Sequence, residues 1–309
     1  MKLFCMRASL FALSLLATLP ATATTLRDIM AERAALQHDA SGLDDEAGAD
    51  DSLVLPAGSR IIRNVSYGAD ALQRMDIYQP PGAKAAPLLV MVHGGAWRIG
   101  DKASVGVVNN KAMHWLAQGF VFVSVNYRLL PKAAPLQQAN DIARALSVVQ
   151  ARAASWGGDP ARIILLGHSA GAHLVALLAS DPALVSAQGG RPWLGTIALD
   201  SAALDVVAIM QSKHLPLYDR AFGSQSANWR ANSPLLRLTG KPAPMLLVCS
   251  SERENSCPHA QRYAEKVKTL GGTADVLPVA LSYKQINQVL GMSGPYTQSV
   301  DSFIPCLSG

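Results

Sequence analysis

Gly167-His168-Ser169-Ala170-Gly171 sets one serine between two glycines, directly after the apolar run Ile163–Leu166 and at the start of a helical stretch from Ala170. A sharp strand-to-helix turn needs small residues on both sides of the serine, because the backbone is strained there and side chains would collide. The hydroxyl is then presented at the carboxyl end of a sheet, and the Ala170 amide can donate to a developing oxyanion at the positive end of the helix. That chemistry is nucleophilic attack on an acyl carbonyl. A second turn, His93-Gly94-Gly95-Ala96-Trp97, follows the continuous apolar run 87–93. Its glycines let backbone N–H groups come close to a bound carbonyl oxygen.

Both turns need a sheet to carry them. Ile61–Tyr67 and Gln73–Tyr78 read as an early hairpin turned by Gly68-Ala69-Asp70, and Pro87–His93 reads as a strand covered on both faces. Phe120–Asn126, Ile163–Leu166, Thr196–Leu199, Met245–Cys249 and Ala274–Val279 repeat that pattern, with helical stretches at about 104–118, 136–155, 170–180, 258–270 and 297–307. Such alternation calls for right-handed crossovers and a mostly parallel sheet, an α/β fold. Residues 203–240, with Pro216, Gly223 and Pro234, interrupt the alternation and read as a small lid over the strand ends.

At 309 residues and 50% hydrophobic, with 16% charged side chains, the chain is too apolar to be disordered and long enough for one large α/β domain over 60–309. Residues 1–23 have the make-up of a signal peptide. Lys2 and Arg7 precede the uncharged stretch Ala8–Leu19, and Ala21-Thr22-Ala23 forms a small-x-small cleavage site. That stretch is 12 residues, short of the roughly 20 that span a bilayer, so export to the periplasm or medium is expected and a stable membrane anchor is not. Residues 24–59 read as a short helix, 24–36, and a solvated acidic linker between Asp39 and Asp51. Basic residues are not clustered among aromatics, so nucleic acid is not an expected partner, and oligomeric state is not legible. In an oxidising compartment Cys249 and Cys257 can pair across a short loop, leaving Cys306 odd. No Cys/His group has zinc spacing, so a structural metal is not expected, and acyl transfer to a serine calls for no cofactor.

In combination the motifs resemble α/β-hydrolase esterases of the feruloyl-esterase-like, arylformamidase-like and hormone-sensitive-lipase-like branches. The resemblance runs from His93–Trp97 with Gly100-Asp101-Lys102, through Asn126-Tyr127-Arg128-Leu129 and Trp156-Gly157-Gly158-Asp159-Pro160, to Gly167–His173, within about residues 60–307. It implies a three-layer fold with an eight-stranded, mostly parallel sheet. It also implies hydrolysis of a small-molecule carboxylic ester or amide through an acyl-enzyme at Ser169, with Gly94, Gly95 and Ala170 as the oxyanion hole. His93, Trp97 and the lid aromatics Tyr218, Phe222 and Trp229 are candidates to line the substrate pocket, packing of the lid being the other reading of those aromatics.

Such a triad runs in the order serine, acid, histidine. Counting four residues back from Pro258 gives Glu254 as the acid, with Glu252 and Asn255 as alternatives and solvated loop charge as the plain reading. The histidine should follow the last strand, where Ala280-Leu281-Ser282-Tyr283-Lys284 stands and Tyr283 occupies its place. The last histidine in the chain is His259. A phenol with a reference pKa of about 10 is a poor base near neutrality, and loss of a triad histidine costs on the order of a millionfold in turnover. His259, His214 and Lys284 are the substitutes to weigh, whereas His114, His168 and His173 read as structural. Two functions follow: a serine esterase impaired by loss of its histidine, or an inactive scaffold that binds an acyl compound or a partner.

Overall fold

The computed structural model describes residues 53–201 and 203–304. The expected signal peptide, the helix at 24–36, the acidic stretch up to Asp51 and Cys306 lie outside these residues. Eight strands form one sheet in the order β1-β2-β4-β3-β5-β6-β7-β8. They are β1 (Arg60–Ser66), β2 (Arg74–Gln79), β3 (Ala86–Val92), β4 (Val121–Val125), β5 (Gly158–His168), β6 (Gly195–Leu199), β7 (Met245–Ser250) and β8 (Ala274–Val279). β2 pairs antiparallel with both β1 and β4, and every other pairing is parallel, as the apolar runs require of strands covered on both faces.

The side-chain period of two divides the core. Leu88, Val90 and Val92 of β3 pack into one buried cluster and Leu89 and Met91 into another. The first layer includes α2 (Pro135–Arg152) and α3 (Ala170–Ser180); the second includes α1 (Val105–Ala117). After α3 and the single turn α4 (Ala183–Ser186), the lid segment between β6 and β7 consists of four short helices: α5 (Val206–Gln211), α6 (Pro216–Phe222), α7 (Ser226–Ala231) and α8 (Pro234–Arg237). The chain continues through α9 (Ser256–Thr269) after β7, and α10 (Tyr283–Gln288) and α11 (Pro295–Phe303) after β8.

Helix α10 stands where the sequence suggested only a loop. Its start is fixed by a capping box, in which Ser282 Oγ accepts from the Gln285 amide and Gln285 Oε1 accepts from the Ser282 amide. Its far end is tied to α1, because Asn110 Nδ2 donates to Gln288 O and the buried Lys111 ammonium donates to Asn287 O. Tyr283 therefore starts a helix held at both ends. The last helix, Pro295–Phe303, begins two residues earlier than expected, since Pro295 suits its first position.

Candidate active site

β3 hands the chain to β4 on one side, and β5 returns on the other, so the strand order reverses between β3 and β5. Ligands of open α/β sheets bind outside the strand carboxyl ends at such a point. Val92 pairs with Gly167 there, which sets the turn after β3 beside the turn after β5. Ser169 occupies that second turn at φ 53°, ψ −116°, with its amide donating to Leu199 O of β6 at 2.9 Å. A Cβ on Gly171 would sit 2.1 Å from Val92 O, and one on Gly167 would meet the Gly171 backbone at 2.5 Å. The two glycines of the pentapeptide are thus the contact through which helix and strand approach. Ser169 and Ala170 open into a small cavity of about 40 Å³, walled also by Ala96, Trp97, Asp200, Arg253 and Tyr283, with Tyr218 from the lid.

The turn 93–97 is built for shape. Gly95, Ala96 and Trp97 take φ values of 97°, 50° and 61° in succession. His93 does not line the cavity. It is buried beneath the turn, stacked on Tyr127 at 4.5 Å, and its Nδ1 donates to Gly94 O. Tyr127 Oη donates to His93 O at 3.0 Å. Ala96 and Trp97 of this turn line the cavity, and Gly94 and Gly95, expected in the oxyanion hole, do not. The motif residues downstream brace this arrangement. Asn126 accepts from the Lys102 amide and donates to Asp101, Lys102 pairs with the buried Asp76 at 2.9 Å, and Arg128 grips Asp141 with two N–H groups. Such pairs are costly to break once desolvated. Of the lid aromatics, Tyr218 reaches the cavity, while Phe222 is buried against Trp97 at 4.9 Å and Trp229 donates to Gly223 O.

At the same cavity the structure brings together residues the spacing argument passed over. Asp200 directly follows β6 at φ 49° with its side chain fully buried. Arg253 donates to Asp200 Oδ2 at 2.7 Å, Ser256 Oγ donates to Oδ1, and the Ser250 amide approaches Oδ1 at 3.4 Å. Arg253 also lies over the Tyr283 ring at 5.1 Å, and Tyr283 packs on His168 at 4.7 Å. A disulfide between Cys249 and Cys257 closes the loop that holds Arg253. Glu252, Glu254 and Asn255 are exposed on that loop, and none lines the cavity. The acid at the cavity is therefore Asp200, not Glu254. The available signal was its position, an acidic residue immediately after a wholly buried strand.

Among the described residues no histidine lines the cavity. His114 pairs with Asp301 at 2.8 Å. His214 bonds Asp219, which raises its pKa, and His259 sits half-buried on α9, where burial lowers it. Lys284 is exposed and does not line the cavity. His173, one turn beyond Ser169, accepts from Trp97 Nε1 at 3.1 Å and donates from Nε2 to Asn232 O at 2.7 Å, joining the cavity wall to the lid. Complete burial pushes its pKa down to about 4 from 6.5. Between those values the unfolded chain binds more protons than the folded one, so stability falls as pH drops. From pH 7 to pH 5 the loss expected from this group is about 2 kcal/mol at 1.36 kcal/mol per unit. Urea melts at both pH values should show it in the wild type and lack it in His173→Gln; equal slopes would exclude His173 as the source.

A strained serine on a strand-to-helix turn, at the switch point of an eight-stranded, mostly parallel sheet, defines an α/β-hydrolase. The BD-FAE family model matches residues 75–186. Esterase LipQ of Mycobacterium tuberculosis is 30% identical over 65% of this chain and 51% of its own length. A probable isoprenylcysteine alpha-carbonyl methylesterase of Arabidopsis thaliana is 32% identical over 42% of this chain and 31% of its own. The chain thus spans about half or less of the length of these relatives. Esterase B of Lactobacillus Rhamnosis has the same fold, with a TM-score of 0.67 at 18% identity over 91% of this chain and 93% of that one. A carbohydrate esterase from gut microbiota gives 0.68 at 17% identity over 85% and 99%. The chain has the α/β-hydrolase fold of these esterases, and its residues 75–186 are similar to the BD-FAE family.

Proposed function

We propose that the protein binds short-chain carboxylic esters in the Ser169 cavity and attacks them slowly through the Ser169 hydroxyl. The conformation of Ser169 carries this reading. A non-glycine residue at φ 53°, ψ −116° is strained by about 1–3 kcal/mol, and such strain is held where it serves a site. The hydroxyl faces a cavity of about 40 Å³, which suits a short acyl group. Ala170, the first residue of α3, lines the same cavity, and the first amides of a helix have no partner within it. In the attack the serine oxygen bonds to the carbonyl carbon and the carbonyl oxygen takes up the negative charge beside the Ala96 and Ala170 backbone; the carbonyl then re-forms as the bond to the alkoxy group breaks, and the proton lost by the serine leaves with the alcohol. Without an imidazole at the cavity, the serine proton has no good acceptor, which holds both acylation and release of the acyl group back.

A second reading rests on a different observation. Tyr283 and Arg253 line the cavity with Ser169 and stack on each other, and a site so furnished can bind an ester without turning it over. A fluorophosphonate probe separates the two. Slow labelling is expected, at least about 100-fold below a serine esterase with an intact base, and it should disappear in Ser169→Ala. Absence of any label on the folded protein would favour the binding protein, and labelling at full esterase speed would require a base other than those described here. Export to an oxidising compartment is part of the proposal, supported by the leader-like residues 1–23 and by the Cys249–Cys257 disulfide.

A further inference from the structure

We infer that a groove at the amino ends of β6 and β7, at the opposite end of the sheet from Ser169, binds an alkyl carboxylate. Ser169 stands beyond the carboxyl end of β5, whereas residues 190–193 lead into β6 and residues 241–244 into β7. The two segments lie side by side because β6 and β7 pair in parallel from Thr196 and Met245 onward, and the Thr196 amide donates to Pro244 O at 2.9 Å. The turn α4 closes a third side through Ala183 and Val185. Between them lies a groove of about 660 Å³, within the range of small-molecule sites and far larger than the cavity of about 40 Å³ at Ser169. Its shape is set before any ligand arrives. Pro182, Pro192, Pro242 and Pro244 stiffen the rim, and Trp193 is fixed by donating Nε1 to Thr196 Oγ1 at 2.9 Å. Gln150 of α2 accepts from the Arg191 amide at 2.7 Å and donates to Arg191 O at 2.8 Å. A Cβ on Gly190 would stand 2.6 Å from Val185 Cγ1, so this segment already rests against α4.

Charge selects the ligand. Arg191 and Lys241 are the charged residues of the lining, both are exposed, and among the described residues neither side chain has an acidic partner. No carboxylate lines the groove, and Asp181, which precedes Pro182, is already paired with Arg237. Apart from Ser186 the rest of the wall offers no polar side chain. Two uncommitted cations beside an apolar wall favour an anion whose remainder is hydrocarbon, because the tail leaves water while the carboxylate takes charge-assisted hydrogen bonds. A neutral lipid would leave both cations unmatched, and a small inorganic anion would gain nothing from the apolar wall.

Isothermal titration calorimetry with octanoate, 1-octanol and octylammonium tests this on the intact protein. Octanoate is expected to bind about tenfold more tightly than 1-octanol, the size that two exposed charge pairs supply, with octylammonium the weakest of the three. The preference should shrink in high salt, as exposed charges are screened. Arg191→Gln/Lys241→Gln should bring octanoate level with 1-octanol and leave 1-octanol unchanged. Ala183→Glu, which adds a carboxylate to the lining, should weaken octanoate more than 1-octanol. All three positions are exposed, so the variants should melt with the wild type. Absence of saturable octanoate binding, 1-octanol bound as tightly as octanoate, or an octanoate affinity unmoved by both variants overturns the inference. The groove shares no lining residue with the Ser169 cavity, so such a failure leaves the ester reading standing, and loss of that reading leaves the groove standing.

Discussion

Tyr283→His is expected to raise p-nitrophenyl acetate hydrolysis by about 10²–10³-fold, within the range that a positioned general base supplies. Tyr283 lines the cavity that Ser169 opens into, at the first position of a helix capped by Ser282 and tied to α1 through Asn287 and Gln288. An imidazole placed there replaces a phenol whose reference pKa of about 10 keeps it protonated near neutrality. The gain should stop short of the roughly 10⁶ that a complete triad contributes, because the Arg253 guanidinium already lies over the ring at this position. A neighbouring cation favours neutral imidazole, which is the basic form, but opposes the imidazolium that must form as the serine proton is taken up. Asp200 behind Arg253 offsets part of this repulsion. Adding Arg253→Gln to Tyr283→His should therefore increase the rate again if the protein stays folded. Steady-state rates with Ser169→Ala in each background as the blank decide it. No gain over the wild type would mean that position 283 cannot reach the serine proton.

How much of this was readable beforehand divides along the nature of the signal. The strands were legible because a strand covered on both faces must be apolar throughout, as in Leu88–Val92. Ser169 was legible because its local backbone admits little besides glycine at 167 and 171. Asp200, Arg253 and Ser256 were not, because no local rule links them. Arg253 and Ser256 lie 53 and 56 residues beyond Asp200 in sequence and meet it only through the parallel pairing of β6 with β7. Spacing from Pro258 pointed to Glu254, but the bridged loop turns Arg253 inward and leaves both flanking glutamates in solvent. The roles of His93 and His173 depend similarly on long-range partners, Tyr127 and Trp97, that periodicity does not reveal.

Gly171→Ala is expected to be strongly destabilising. The added Cβ would stand 2.1 Å from Val92 O and 2.5 Å from His93 O, both backbone atoms, so relief requires α3 to move off β3. β3 has no room to yield, since it is hydrogen-bonded to β4 on one edge and β5 on the other and its residues 88–92 are fully buried. Overpacking against atoms that can relax costs about 1–3 kcal/mol; against fixed backbone the expectation is at least about 3 kcal/mol. For a chain of this size that corresponds to roughly 10 °C in melting temperature. Gly240→Ala is the matched control, because nothing lies within 4 Å of the Cβ it would add, and it should melt within a degree or two of the wild type. The two substitutions differ only in whether helix and strand are in contact at that point, and the same contact sets Ser169 beside the His93–Trp97 turn. Fluorophosphonate labelling should therefore fall with the melting temperature in Gly171→Ala and hold in Gly240→Ala, and a Gly171→Ala protein that melts and labels like the wild type would contradict the close approach of α3 to β3.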